Sequence, residues 1–273
     1  MTSKFCVVGS PINHSLSPVI HQAAYSHLGI EFLYERHEVQ SGGLRKFVDL
    51  TDFAGLSVTM PLKVEAYSLS DSPSKVAAQT GVANTLVRSG SGWIAHNTDV
   101  FGISQCIKSA LEVNQVIVLG SGATARSALV AISDVFPVAE ISIIARNADT
   151  AGELAEFGGR LSNSTTIARG SVDELLGADL VISTVPAAAY EQLWTELARV
   201  DDIPNGLLLD VAYNPWPSLA ARSWGESCVS GLEMLIWQAV QQVHLFAESQ
   251  NIERQIDPQE IYAVMKAAVT ESS

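Results

Sequence analysis

Short apolar runs alternate with amphipathic stretches along the chain, and this alternation predicts an α/β fold with mostly parallel sheets. In the N-terminal part, strands are expected at Phe5–Gly9, Leu33–Glu38, Leu56–Thr59, Ala83–Val87 and Trp93–His96. Helical stretches such as Pro18–Leu28 lie between them. Pro18 suits the first turn of that helix, where a missing N–H costs nothing, and Gly29 closes it. A helix over Val100–Leu111 leads to a new strand, Val116–Leu119, and the pattern then becomes regular. Helices are expected at Ala125–Val135, Thr150–Phe157, Val172–Leu176 and Tyr190–Leu197. They alternate with strands at Ile141–Ala145, Thr166–Ala168, Leu180–Thr184 and Leu207–Val211. This is half or more of a doubly wound sheet. After Gly231 the character is helical: Leu232, Leu235, Ile236, Ala239, Val243 and Phe246 recur at helical spacing. Asp257 is positioned to cap a last helix from Pro258 to about Ala268, and the tail Thr270–Ser273 is expected to fray.

Composition narrows the function classes. Of 273 residues, 47% are hydrophobic and 16% charged, which describes a globular chain rather than a disordered one. Lys and Arg number 16 against 29 Asp and Glu, a net charge of −13. A nucleic-acid partner needs a cationic surface, so that class is excluded, and an anionic ligand must be held by a few local donors. Cys6, Cys106 and Cys228 are far apart and the six histidines lack metal-ligand spacing, so no metal or disulfide framework is expected. The apolar stretch near Met1 is too short for a signal peptide, and no run approaches a membrane span. A soluble, cytoplasmic protein acting on a small molecule, as monomer or homodimer, is the expectation.

The strand Val116–Leu119 runs into Gly120-Ser121-Gly122-Ala123-Thr124-Ala125-Arg126. Two glycines one residue apart allow a tight turn that lets the backbone approach a pyrophosphate, and the following helix offers N–H groups and a positive dipole end. Ala125 stands at the third position of G-x-G-x-x-G, a variant the motif permits, and the surrounding βαβ pattern supports a nucleotide site. The second strand of such a site selects the cofactor: an acid at its end suits the ribose hydroxyls of NAD, an arginine the 2′-phosphate of NADP. Here it ends Ile144-Ala145-Arg146-Asn147, with no acid until Asp149, so NADP is expected.

Polar clusters outside this region carry the remaining chemistry. Gly9 to Pro18 is a loop with hydroxyls at Ser15 and Ser17; Ser57-Val58-Thr59-Met60-Pro61-Leu62-Lys63 delivers Thr59 and Lys63 from a strand end. Asn84-Thr85 and Asn97-Thr98-Asp99 add amide, hydroxyl and carboxylate groups at two further strand ends. Singly, each has a bland reading: the serines as helix caps, Lys63 as a solvated lysine, Asp99 as a turn residue, Gln238 as an exposed helix position. Together, in order, they resemble the shikimate dehydrogenase family. Its pattern runs G-x-P-I-x-H-S-x-S-P, N-V-T-x-P-x-K, N-T-L, D-N-T-D, G-x-G-G-A-x-R, N-R-T, D-x-x-Y-x-P and G-x-x-M-L-x-x-Q. The match extends from Gly9 to Gln238.

The resemblance implies a Rossmann-type doubly wound nucleotide domain at 101–229 and an α/β substrate domain at 1–100, completed by C-terminal helices at 230–273. It implies reversible NADPH-dependent reduction of 3-dehydroshikimate to shikimate, in the chorismate route to aromatic amino acids. By it, Ser15 and Ser17 hold the substrate carboxylate, while Thr59, Asn84, Tyr213 and Gln238 contact the same ligand. Lys63 and Asp99 become the catalytic pair, which also touches substrate. Gly120, Ser121, Gly122, Ala123, Thr124, Ala145, Arg146 and Asn147 hold NADP, with Val211 and Gly231 near its nicotinamide. Oxidising a secondary alcohol requires a group that takes the O–H proton. Burial disfavours charge on a lysine and a neighbouring carboxylate favours it, so the sequence leaves that balance open.

The chain departs from the family at several positions. Ser57 replaces the Asn before Val-Thr, Ala145-Arg146-Asn147 replaces N-R-T, Ala123 replaces the last glycine of G-x-G-G, and Thr150 stands where a second arginine is common. The phosphate grip therefore rests on Arg146, with Asn147 and either Arg126 or Thr124 assisting. The competing readings are a quinate/shikimate dehydrogenase preferring NAD and a non-catalytic ligand sensor. Ser17 and Arg146 argue against the first; retention of both Lys63 and Asp99 argues against the second.

Overall fold

The computed structural model describes residues 2–161, 165–167, 170–186, 189–202 and 204–270. Ala168, the expected end of one strand, and residues 271–273 of the expected frayed tail lie outside them. The chain divides into two compact units, Met1–Asp99 with Ile236–Ser273, and Val100–Leu235.

The first unit opens with β1 (Ser3–Gly9), α1 (Ser17–Leu28), β2 (Phe32–Glu38), α2 (Leu44–Asp49) and β3 (Gly55–Val58). It continues through α3 (Lys63–Leu69), β4 (Ser72–Pro73), α4 (Lys75–Thr80), β5 (Thr85–Ser89) and β6 (Gly92–His96). The sheet order is β2-β1-β3-β5-β6-β4. It is mixed: β5 runs antiparallel to both neighbours, because the Gly90-Ser91 turn, with Gly90 at φ 59°, folds β5 and β6 into a hairpin. Alternation along β1 explains the layering. Cys6 and Val8 enter one core with Leu44 and Val48 of α2, Leu56 and Val58 of β3, and Ala66 and Leu69 of α3. Phe5, adjacent to Cys6 and on the opposite face, meets Tyr25 of α1, Phe32 of β2 and Phe246 near the C-terminus, at ring separations of 6.4, 4.8 and 4.5 Å. Burying each such side chain contributes roughly 1.5–3 kcal/mol.

The second unit holds α5 (Asp99–Ile107) from Val100 onward, β7 (Gln115–Leu119), α6 (Ala123–Val135), β8 (Glu140–Ile144), α7 (Ala148–Gly159) and β9 (Thr165–Ile167). After these come α8 (Val172–Leu176), β10 (Leu180–Ser183), α9 (Glu191–Leu197), β11 (Leu207–Asp210), α10 (Leu219–Trp224) and β12 (Cys228–Ser230). Its sheet is parallel throughout, ordered β12-β11-β10-β7-β8-β9. Strand order therefore reverses between β7 and β10, the doubly wound arrangement whose switch point accepts ligands at the strands' C-terminal ends. Helix α5 stops at Ile107 rather than Leu111, since Leu111 is 86% exposed and has no core to join. The sequence pattern passes over α10, whose start is capped by Ser218 and whose Trp224 is buried with its indole N–H on the Gly206 carbonyl at 2.9 Å.

Two helices complete the chain: α11 (Gly231–Ser249) and α12 (Pro258–Thr270). From Ile236 onward they belong to the first unit, where α12 packs on α1 and Asp257 accepts from the backbone N–H groups of Gln259 and Glu260 at 2.8 and 3.4 Å. Among the described residues, no helix is long and apolar enough to cross a membrane and no three potential ligands gather as a metal site.

Candidate active and nucleotide sites

In the first unit, β3 ends at Val58, and Thr59 follows with its N–H on the Val8 carbonyl at 2.9 Å. Lys63 is the first residue of α3 rather than a strand-end residue, and Asp99 likewise opens α5. Asn84 precedes β5 and Thr98 follows β6, two strands that pair directly. This hairpin brings together groups that are remote in sequence. Lys63 Nζ lies 2.6 Å from Asp99 Oδ2, with side chains 13% and 6% exposed. Asn84 Nδ2 donates to the other carboxylate oxygen, Oδ1, at 2.8 Å. The same amide nitrogen faces Thr98 Oγ1 at 2.8 Å and Gln238 Oε1 at 3.2 Å, so α11 contributes to the cluster. Asn84 Oδ1 accepts from the Thr98 backbone N–H at 2.8 Å, which fixes the amide's direction because that N–H can only donate.

Ser15 and Ser17 lie where the β1–α1 loop meets the start of α1. No side chain caps α1, whose N-cap residue is Leu16, so the helix-cap reading of the serines does not hold. Ser15 Oγ accepts from the Ser17 N–H at 3.3 Å. Arg36 on β2 donates to the Asn13 carbonyl and braces the loop. Ser17 is 4% exposed, and its carbonyl meets His21 Nδ1 at 2.9 Å. His21 stacks on Tyr34 with ring centroids 4.0 Å apart. Burial lowers the His21 pKa to about 4, against smaller opposing effects of the Ser17 carbonyl and the Gln242 side chain. The direct contacts thus join Lys63, Asp99, Asn84 and Gln238; Ser15, Ser17 and Thr59 are placed by the β1–α1 loop and the β3 end.

The second unit carries the glycine turn between β7 and α6. Gly120 has φ 107°, and a Cβ there would lie 2.6 Å from Thr184 Oγ1, so both backbone and space require glycine. Gly122 is the N-cap of α6; no side chain caps this end, and a Cβ at Gly122 would meet nothing within 4 Å. An uncapped helix start facing open space, at the switch point of a parallel sheet, fits the pyrophosphate of a dinucleotide. Ser121 Oγ is 2.7 Å from Thr150 Oγ1, so the residue standing where a second arginine is common instead braces the turn. Ala123 and Thr124 form the first turn of α6, and Arg126, further along, places its guanidinium 5.2 Å from the Phe157 ring.

Ala145, Arg146 and Asn147 follow β8. Asn147 Oδ1 accepts from Asp149 and Thr150 N–H groups and caps α7, while Arg146 is exposed. Tyr190, which the sequence reading did not place in the site, lies beside it: burial raises the phenol's pKa and the Arg146 charge opposes that shift. Asp210 ends β11 nearly fully buried; burial raises its pKa, offset by Ser218, whose hydroxyl donates at 2.6 Å, and by the Ala212 N–H. This anchors the loop bearing Val211 and Tyr213, and burial raises the Tyr213 pKa as well. Gly231 opens α11 directly against the Val211 backbone, where a Cβ would collide with the Val211 carbonyl.

Residues 7–86 match the family model for the shikimate dehydrogenase substrate binding domain. A relative from Methanosarcina acetivorans, shikimate dehydrogenase (NADP(+)), is 34% identical over 90% of this chain and 93% of its own. The crystal structure of Mycobacterium tuberculosis shikimate dehydrogenase superposes with a TM-score of 0.85 at 35% identity, covering 99% of this chain and all of the other. That of shikimate 5-dehydrogenase from Thermus thermophilus, in complex with NADP(H) and shikimate, gives 0.79 at 25% identity over 98% of this chain and 100% of that one. With its glycine turn, its Lys63–Asp99 pair and full-length similarity to these enzymes, the chain belongs to the shikimate dehydrogenase family.

Proposed function

We propose that this protein is an NADP-dependent shikimate dehydrogenase, catalysing the reversible reduction of 3-dehydroshikimate to shikimate. The observation that carries the reading is the Lys63–Asp99 pair, 2.6 Å apart and largely buried, with Asn84 on the second carboxylate oxygen. When bound, the nicotinamide supplies the hydride. Lys63 supplies the matching proton: its ammonium donates to the oxygen that becomes the alcohol, and in oxidation its amine takes that proton back. Asp99 holds the Lys63 Nζ through Oδ2 and accepts a substrate hydroxyl; Asn84 fixes the carboxylate from the other side. Ser15 and Ser17 hold the substrate carboxylate with neutral donors, and Thr59, Gln238 and Tyr213 contact the ring.

Gly120, Ser121, Gly122, Ala123 and Thr124 would cradle the pyrophosphate, Arg146 the 2′-phosphate with Ala145 and Asn147 shaping its loop, and Val211 and Gly231 the nicotinamide. The three unpaired cysteines support a reducing, cytoplasmic setting. Steady-state rates with shikimate and with quinate, each with NADP and with NAD, test the proposal. Shikimate with NADP should give the highest kcat/KM; quinate with NAD giving the highest would reject it.

A further inference from the structure

Behind the Asn84–Asp99 contact, a line of buried polar groups runs across the first unit. Tyr34 O–H donates to Ser57 Oγ at 2.5 Å, and Ser57 O–H donates to Gln242 Oε1 at 2.7 Å. Gln242 Nε2 then donates twice, to Thr85 Oγ1 at 2.8 Å and to the Asn84 main-chain carbonyl at 3.2 Å. Thr85 O–H donates onward to Asn84 Oδ1 at 2.9 Å. Gln242 is 0% exposed, and Ser57 and Thr85 are buried with it.

The direction of every link is determined. A main-chain carbonyl only accepts, so the Gln242 NH2 must face Asn84 and its oxygen must face Ser57. Thr85, having accepted from Gln242, has its own proton free for Asn84 Oδ1. Ser57, having donated to Gln242, can only accept from Tyr34. Gln242 therefore grips residue 84 twice, directly at the main chain and through Thr85 at the side chain. The amide nitrogen of Asn84, opposite the oxygen that Thr85 reaches, is the group that donates to Asp99. Burial keeps water from substituting for any of these bonds, so losing one leaves partners unsatisfied.

We propose that Gln242 is a positioning residue for the reaction, acting through Thr85 and Asn84 to hold Asp99, and through it Lys63, in place for proton transfer. The inference rests on the assignment of Lys63 and Asp99 as the proton-transferring pair. It predicts that Gln242→Met, which fills similar space without donors, lowers kcat for shikimate oxidation about tenfold, the worth of one well-formed hydrogen bond. KM for the nucleotide should be unchanged and KM for shikimate should move by less than about threefold.

Thr85→Val removes the intervening hydroxyl at constant shape and should give the same split. The double variant should be no slower than Gln242→Met alone, because that substitution already breaks the branch that runs through Thr85. A merely structural role would lower the unfolding midpoint but leave kcat of the folded enzyme near wild type, or make the two losses multiply; either result overturns the proposal. Should Gln242→Met fail to fold, Thr85→Val alone carries the test, and near-normal kcat there overturns it equally. Wild-type turnover is measured alongside, so its absence would count against the proposed activity rather than against Gln242.

Discussion

Replacing Lys63 by Met separates the energetics of the buried pair from its chemistry. Asp99 Oδ2 loses its partner at 2.6 Å, while Oδ1 keeps the Asn84 donor at 2.8 Å. Removing one member of a buried ion pair typically costs about 3–5 kcal/mol, because the other charge is left uncompensated. With the lysine side chain 13% exposed and one donor retained, the lower end applies, about 3 kcal/mol. Adding Asp99→Asn removes the orphaned charge, so the double variant should recover about 2 kcal/mol relative to Lys63→Met. Activity should not follow stability: kcat should fall roughly 10²–10⁴-fold in Lys63→Met and stay low in the double variant. Urea unfolding and steady-state kinetics on the three proteins read both quantities. If the double variant is no more stable than the single, the pair does not hold the site as argued. If Lys63→Met keeps near-normal kcat with a greatly raised KM, Lys63 only binds substrate, and Asp99 becomes the leading proton-transfer group.

Arg146→Ala should weaken NADP by about ten-fold to over a hundred-fold, the worth of a charge-assisted bidentate contact, and spare NAD; equal loss of both in titrations removes Arg146 as the phosphate reader. Gly122→Ala should leave the unfolding midpoint almost unchanged, since a methyl there meets nothing, yet raise the nucleotide KM by crowding the turn. An unchanged KM would mean that no ligand approaches the turn closely. His21, with its pKa lowered from 6.5 to about 4, binds a proton in the unfolded chain before it does so in the folded one. Its contribution to stability is therefore present above about pH 6.5 and lost as pH falls toward about 4. Between about pH 7 and pH 5 the loss comes to about 2 kcal/mol, and urea midpoints of a His21→Gln variant should lack that part of the decline.

Much of this architecture was legible because periodicity and turn residues are local signals. The parallel unit announced itself through its βαβ rhythm and the Gly120–Gly122 turn, and the strand cores fell where apolar runs placed them. Elements missed were those with little sequence of their own. Strand β4 has only Ser72 and Pro73, β12 only Cys228 to Ser230, and α10 depends on tertiary burial of Trp224. The antiparallel entry of β5 was readable in principle from the Ser89-Gly90-Ser91-Gly92 run between two strands. In the site, residues that touch one another were nameable from their joint pattern, but the groups supporting them were not. Ser57 stood out only as a departure from the family, and Gln242 fell inside an apolar helical stripe. Its spacing of four from Gln238 places both on one helix face, the only local hint that it is internal. Directions of hydrogen bonds, which decide what Gln242 does, exist only once the strands and α11 have met.

In this protein, hydride and proton are delivered to one carbonyl of 3-dehydroshikimate. Reducing that compound with NADPH deuterated at its transferring position, and locating the label in the product by mass spectrometry and NMR, tests it most directly. The expected product is shikimate carrying a single deuterium on the newly formed carbinol carbon; unlabelled product, or no reduction by a folded and nucleotide-bound protein, would overturn this assignment.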